Sequence, residues 1–199
     1  MVKKFVCILS AVCLLVLSGC THYPSRAVDG TAWNENWTTL GSVLGVEEPG
    51  NGFFLLDNNA ILTAEDLFYA TWATGSPVPY TNEDGDEVDL YEAHLYQLLC
   101  GCADEDNARL ALEEWTARQE DSYTVTETRT ETCNGQEYTF LLYQCGSDTN
   151  PYSRGVSAFT TYKNYAVSAE LTCRESFTGD ELSILTDFLE GCHYNAELN

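Results

Sequence analysis

The sequence predicts an α+β domain in which helices pack on an antiparallel sheet, and three observations carry that expectation. Tyr123 to Thr132 alternates through Tyr123, Val125, Glu127 and Arg129, turns at Asn134-Gly135, and returns from Glu137 to Cys145 as an aromatic and aliphatic run, the pattern of a β-hairpin. Val156 to Tyr162 and Tyr165 to Thr172 repeat the pattern around Lys163-Asn164. Finally, Thr178 and Glu181 have the spacing of a capping box ahead of Leu182, Leu185, Phe188, Leu189 and Cys192, the buried stripe of a closing helix.

Taken in order, Thr21 to Glu35 has no periodicity and reads as a tether, with Trp33 and Trp37 marking the start of packing. Trp37 to Val46 is mixed and interrupted by Gly41 and Gly45, and Pro49 to Gly52 is a turn. Phe53 to Leu56 reads as a short buried strand and Asp57-Asn58-Asn59 as a turn. Leu67 to Thr74, with Phe68, Tyr69, Thr71 and Trp72, has strand composition, against a competing helix capped by Thr63 with Asp66 at its third position. Gly75 to Asp89 reads as a loop. Val88, Tyr91, Leu95, Leu98 and Cys102 recur at helical spacing, with Asp89 and Glu92 in the first turn, and predict a helix. After a break at Gly101 to Asp106, Ala108, Ala111, Leu112 and Trp115 predict a second helix, paired with the first. Gly146 to Arg154 is a polar loop.

The N-terminus bears on location. Lys3 and Lys4 precede an apolar run from Phe5 to Leu17, shorter than the roughly 18 residues of a membrane span. Leu17-Ser18-Gly19-Cys20 resembles the lipobox of bacterial lipoproteins. That resemblance implies cleavage before Cys20, lipidation of Cys20, and an extracytoplasmic chain held to the cell membrane by its lipid. The division is then a signal peptide over 1–19, a lipidated tether over 20–35 and one globular domain over 36–199. Formal charge is -22, and loss of Lys3 and Lys4 takes the remainder to -24. Such a surface repels phosphate backbones and anionic headgroups, which argues against nucleic acid and against a polybasic membrane face. Six cysteines remain beyond the anchor, Cys100, Cys102, Cys133, Cys145, Cys173 and Cys192, an even number compatible with disulfides whose pairing spacing does not choose.

Two stretches could carry chemistry. Asn82, Asp84, Asp86 and Asp89 offer oxygens at intervals that could wrap calcium, the one cofactor the sequence suggests. Read as an EF-hand from Asn82, however, the loop has Glu87 where the turn glycine belongs and Ala93 where the bidentate glutamate belongs, and an acidic turn explains it as well. Cys100-Gly101-Cys102 could exchange disulfides or hold a soft metal with Cys192 and His193. The expected helix C-terminus would raise those thiol pKa values and disfavour both. No G-x-S-x-G elbow, H-E-x-x-H or phosphate loop is present, and histidine is confined to His22, His94 and His193. Tyr91, Trp72, Trp115 and Phe188 fall on inward patterns, while Tyr80, Tyr152, Tyr162 and Tyr194 are candidates for a binding face.

Strands, two helices, a four-strand meander and a closing helix over residues 37–194 resemble the PsbP and Mog1-like α/β/α sandwich in element order. That resemblance implies a binding or assembly factor without catalysis. The expectation is therefore a membrane-anchored, non-catalytic module that binds a protein, glycan or small molecule through acidic and aromatic loops. The rivals are a structural component of an envelope complex and an enzyme, either a carboxylate-based hydrolase or a thiol oxidoreductase.

Overall fold

A computed structural model describes residues 37–41, 43–60, 67–82, 84–146 and 150–195, so the lipobox, Cys20, the tether and the Thr63–Asp66 cap lie outside the described residues. The elements are β1 (Trp37–Leu40), β2 (Leu44–Glu47), β3 (Phe54–Ala60), β4 (Leu67–Thr74), β5 (Val78–Thr81), β6 (Glu87–Leu90) and β7 (Ala93–Gly101), then α1 (Glu105–Ser122), β8 (Thr124–Cys133), β9 (Gln136–Gln144), β10 (Arg154–Tyr162), β11 (Tyr165–Cys173), α2 (Glu181–Glu190) and β12 (Cys192–Tyr194). A seven-stranded antiparallel sheet in the order β3-β4-β7-β11-β10-β9-β8 forms the centre. Helix α1 packs on one face through Ala108 and Trp115, and α2 on the other through Leu185, Phe188 and Leu189. The small sheet β1-β2-β12 adds Leu40, Leu44 and Val46 to the α2 side. This is an α+β domain with helices on both faces of an antiparallel sheet.

The meander β8-β9-β10-β11 forms where alternation predicts it. Asn134 and Gly135 both take positive φ, 45° and 76°, as the tight hairpin turn requires. Asn134 also ties the hairpin to the C-terminus, its amide N–H donating to Glu190 Oε2 (2.8 Å) and its Nδ2 to the Cys192 carbonyl (2.7 Å). Leu67–Thr74 is strand β4, as its composition indicates.

Several expectations are corrected. The stretch expected as a helix from Val88 to Cys102 is strand: β6, a turn, and β7 between β4 and β11. A central strand is covered on both sides, so its apolar residues run almost continuously and include helical spacings by chance. The pair of helices is consequently α1 alone. Within Gly75–Asp89, expected as a loop, β5 and β6 form a ribbon. Asp57-Asn58-Asn59 is not a turn but continues β3 past a bulge between Leu55 and Asp57. The Asp57 carboxylate is satisfied there by the Tyr69 hydroxyl (2.6 Å) and the Asn58 amide (2.8 Å). Phe53 is buried, but Phe54, Leu55 and Leu56 are exposed.

The last helix begins at a different cap from the one expected. Asp180, not Thr178, accepts from the Ser183 amide at 2.8 Å, and Glu181 pairs with Arg154 at 3.3 Å. Asp180→Ala is expected to cost about 1 kcal/mol, the usual worth of an N-cap, and Thr178→Ala under about 0.5 kcal/mol. Urea denaturation of the two variants checks this, and equal losses would restore Thr178 as the cap.

Candidate functional site

Each residue that the sequence singled out has a definite place. The acidic run is the tip of the β5–β6 ribbon. Asp86 donates its N–H to Asn82 Oδ1 (2.8 Å), the Asn82 amide donates to the Asp86 carbonyl (2.9 Å), and Gly85 closes the turn on the Asn82 carbonyl (3.0 Å). The side-chain oxygen of Asn82 is thus engaged by backbone. Asp84 and Asp86 are exposed, and Asp89 lies on β6 opposite Pro79. Among the described residues, no group of three or more histidine, cysteine, aspartate or glutamate side chains is arranged to hold a metal ion.

Cys100 is the penultimate residue of β7, and Cys102 lies two residues before Asp104, the N-cap of α1. They stand ahead of a helix N-terminus rather than at the expected C-terminus, so the dipole argument made from sequence falls. Both are buried, with Cys100 Sγ 3.8 Å from the Gly101 carbonyl and Cys102 Sγ 3.7 Å from the Cys100 carbonyl. Cys192 is not beside them. It packs in the core on the α2 face, its Sγ 3.7 Å from Gln97 Oε1, while Cys100 belongs to the α1 face. Burial pushes the thiols of Cys145 and Cys173 up to about 12 and that of Cys133 up to about 11, which suppresses the thiolate that redox chemistry needs.

The aromatic residues also separate. Trp72, Trp115 and Phe188 are core, and Tyr91 is half-buried against Phe54. Tyr162 and Tyr194 stack on each other at 4.5 Å, and the Tyr194 hydroxyl meets that of Tyr138 at 2.7 Å. Only Tyr80 of the candidate tyrosines lies on the ribbon.

The polar cluster that sequence reading missed lies between α1 and the sheet. Gln119 Nε2 donates to Ser157 Oγ (2.9 Å) and to Glu170 Oε1 (2.8 Å), and Glu170 Oε1 also accepts from the Tyr143 hydroxyl. Tyr123 stacks on Tyr143 at 4.4 Å. Burial raises the Glu170 pKa against the lowering effect of its two donors, and burial, then the nearby Glu170, holds Tyr143 well above the usual phenol range. The cluster clamps α1 to β9, β10 and β11. Gln119 Nε2 and the Tyr143 hydroxyl converge on Glu170 Oε1, and Gln119 also reaches Ser157 Oγ.

A contrasting surface lies at the β3 edge of the sheet and on the ribbon. Phe54, Leu55, Leu56, Val78 and Val88 are each 39–43% exposed. In the ribbon register Val78 faces Leu90 and Tyr80 faces Val88, so these four share one face, and Pro79, Thr81, Glu87 and Asp89 take the other. The ribbon is rooted where β4 ends and β7 begins, the Glu92 amide donating to the Thr74 carbonyl at 3.1 Å. Phe54 pairs with Ala73 near the end of β4, and its ring meets Tyr91, just after β6, edge-on at 5.7 Å. The Phe54 ring thus meets the base of the ribbon at Tyr91, whereas Leu55, paired with Trp72, takes the opposite face of β3.

The fold is similar to the solution structure of cyanobacterial PsbP (CyanoP) from Synechocystis sp. PCC 6803, at 13% identity and a TM-score of 0.37, over 73% of this chain and 96% of that one. It is also similar to a crystal structure from Bacteroides thetaiotaomicron VPI-5482, at 12% identity and a TM-score of 0.38, over 81% of this chain. The match covers 48% of that protein, about half its length. No protein-family model matches the sequence, and no curated protein does. Likenesses this distant concern the arrangement of layers and carry nothing about site chemistry.

Proposed function

We propose that this chain is a lipid-anchored, extracytoplasmic interaction module, without catalysis of its own, that takes a partner protein on the face formed by β3 and the β5–β6 ribbon. The observation that carries this reading is the grouping of exposed apolar side chains. Of the large hydrophobic residues exposed among the described residues, only Leu110 on α1 lies away from β3 and the ribbon. Isolated exposed hydrophobics are ordinary, whereas five on one edge strand and on the ribbon whose base Phe54 meets at Tyr91 favour a docking surface. Two further features support the reading. Among the described residues no helix is long and apolar enough to cross a membrane, and the Leu17–Cys20 tetrapeptide supplies another way to be held there.

The test is site-specific photo-crosslinking of the full-length protein in its native envelope. A benzophenone side chain at Leu55 or Val88 is expected to give a discrete protein adduct and one at Leu110 none, with the adduct falling when Cys20→Ala releases the chain from the membrane. Absence of adducts at both Leu55 and Val88 would overturn the proposal.

A further inference from the structure

We infer that the segment of the partner seated on this face is an extended stretch of chain rich in lysine or arginine, laid along the outer edge of β3. This rests on the reading of the face as a docking surface and adds the chemistry of what docks.

The first support is charge. No lysine or arginine lies between Arg26 and Arg109, whereas sixteen aspartates and glutamates do. That stretch contains β1 to β7, hence the whole apolar group and its rim. The cationic side chains of the described residues lie instead on α1, β8, β10, the β10–β11 turn and the segment after β11. Asp57 on β3 and Asp84, Asp86, Glu87 and Asp89 on the ribbon are all exposed, Glu87 and Asp89 on the ribbon face opposite Val78 and Val88. A cationic segment would relieve their mutual repulsion and be steered toward them at low salt. A second copy of this chain would bring like-charged rims together, and an anionic lipid surface would be repelled as well.

The second support is the contrast between the outer strands of the seven-stranded sheet. Strand β8 carries Glu127, Arg129 and Glu131 joined by ion pairs, at 2.5 Å and 3.2 Å, which is how a protein makes an edge unattractive to further strands. Strand β3, the opposite edge, opens with Phe54-Leu55-Leu56 and carries no charge before Asp57. An extended guest can pair with such an edge through its backbone. Because its side chains alternate, its apolar residues would meet Leu55 on one face of the edge while its lysines or arginines, on the other face, reach Asp57.

The experiment uses the full-length protein in phosphatidylcholine nanodiscs, with empty nanodiscs as the blank. The probes are three labelled twelve-residue peptides, alternating lysine with valine, lysine with serine and glutamate with valine, read by fluorescence anisotropy. The lysine–valine peptide is expected to bind at least about ten-fold tighter than either of the others and to weaken about ten-fold between 20 and 300 mM salt. The double variant Leu55→Ser, Val88→Ser should weaken it about ten-fold too, and Leu110→Ser should leave it unchanged, since both sets of side chains are exposed and neither alters the core. Equal binding of the lysine–serine peptide, or any preference for the glutamate–valine one, overturns the inference. The crosslinked adduct separates this failure from failure of the docking face itself. An adduct mapping to a neutral or acidic segment, or to a second copy of this chain, overturns the cationic guest and leaves the face standing, whereas no adduct removes both.

Discussion

Gly155→Ala is expected to destabilise the domain by about 3 kcal/mol, although the substitution adds one methyl group to a strand and Gly155 is not in a left-handed conformation. A Cβ there would stand 2.5 Å from Tyr143 Oη, 2.6 Å from Cζ and 2.7 Å from the Leu171 carbonyl oxygen. The last is backbone within the β10–β11 pairing and cannot withdraw. Tyr143 cannot withdraw freely either, since its ring is stacked on Tyr123 and its hydroxyl is held by Glu170. Moving the ring leaves Glu170, already raised in pKa by burial, with Gln119 as its donor, and moving the strand disturbs the sheet under α1. Overpacking costs about 1–3 kcal/mol and loss of a hydrogen bond to a charged group about 1.5–3 kcal/mol, and the two overlap because one displacement causes both. Urea denaturation of Gly155→Ala, Tyr143→Phe and the double variant provides the check. Because Tyr143→Phe removes the atom in closest conflict, Gly155→Ala should cost about 1 kcal/mol less on that background. A loss below about 1 kcal/mol in Gly155→Ala alone would contradict this account.

Why Gly155 gave no sign in the sequence also explains where sequence reading succeeded and stopped. Strands β8 to β11 were legible because alternation and the Asn134-Gly135 turn are local signals. Strand β7 was not, because its two faces look onto different cores: Leu98 and Cys100 toward α1, Leu95 and Leu99 toward α2. Burial on both sides erases the two-residue period. Glu170 shares a strand face with Ala166, Ser168 and Thr172, a pattern that reads as solvent-facing. What covers it is Gln119, 51 positions away, and Tyr143, 27 away, and no local window contains either. Phe54, Leu55 and Leu56 failed in the opposite direction, since an apolar run is buried only if something is laid on it. The same limit applies to the other exposed apolar residues, because composition showed that the chain is acidic but only the structure showed that Phe54, Leu55, Leu56, Val78 and Val88 fall on β3 and the ribbon.

Acidification from pH 7 to 4.5 is expected to weaken the fold through His94, whose burial on β7 lowers its pKa from 6.5 to about 4. The neutral imidazole is favoured in the folded protein, so the unfolded chain binds the proton more readily. The contribution of His94 is therefore fully present above about pH 6.5 and is lost as pH falls through the folded value near 4, at most about 3 kcal/mol in all. Glu170 works in the other direction. Its folded pKa is raised above the ordinary 4.5, so the cost of its buried charge is present at neutral pH and is relieved as pH falls through the raised value. The wild-type profile is then the difference of two opposed terms, and variants separate them. His94→Gln should flatten the loss between pH 6.5 and 4. Glu170→Gln keeps an oxygen for Tyr143 and Gln119 but has no proton to gain, so it should make the acid loss steeper. Urea midpoints at pH 7, 5.5 and 4.5 measure both, and an acid profile unaltered by His94→Gln would show that protonation elsewhere sets the slope.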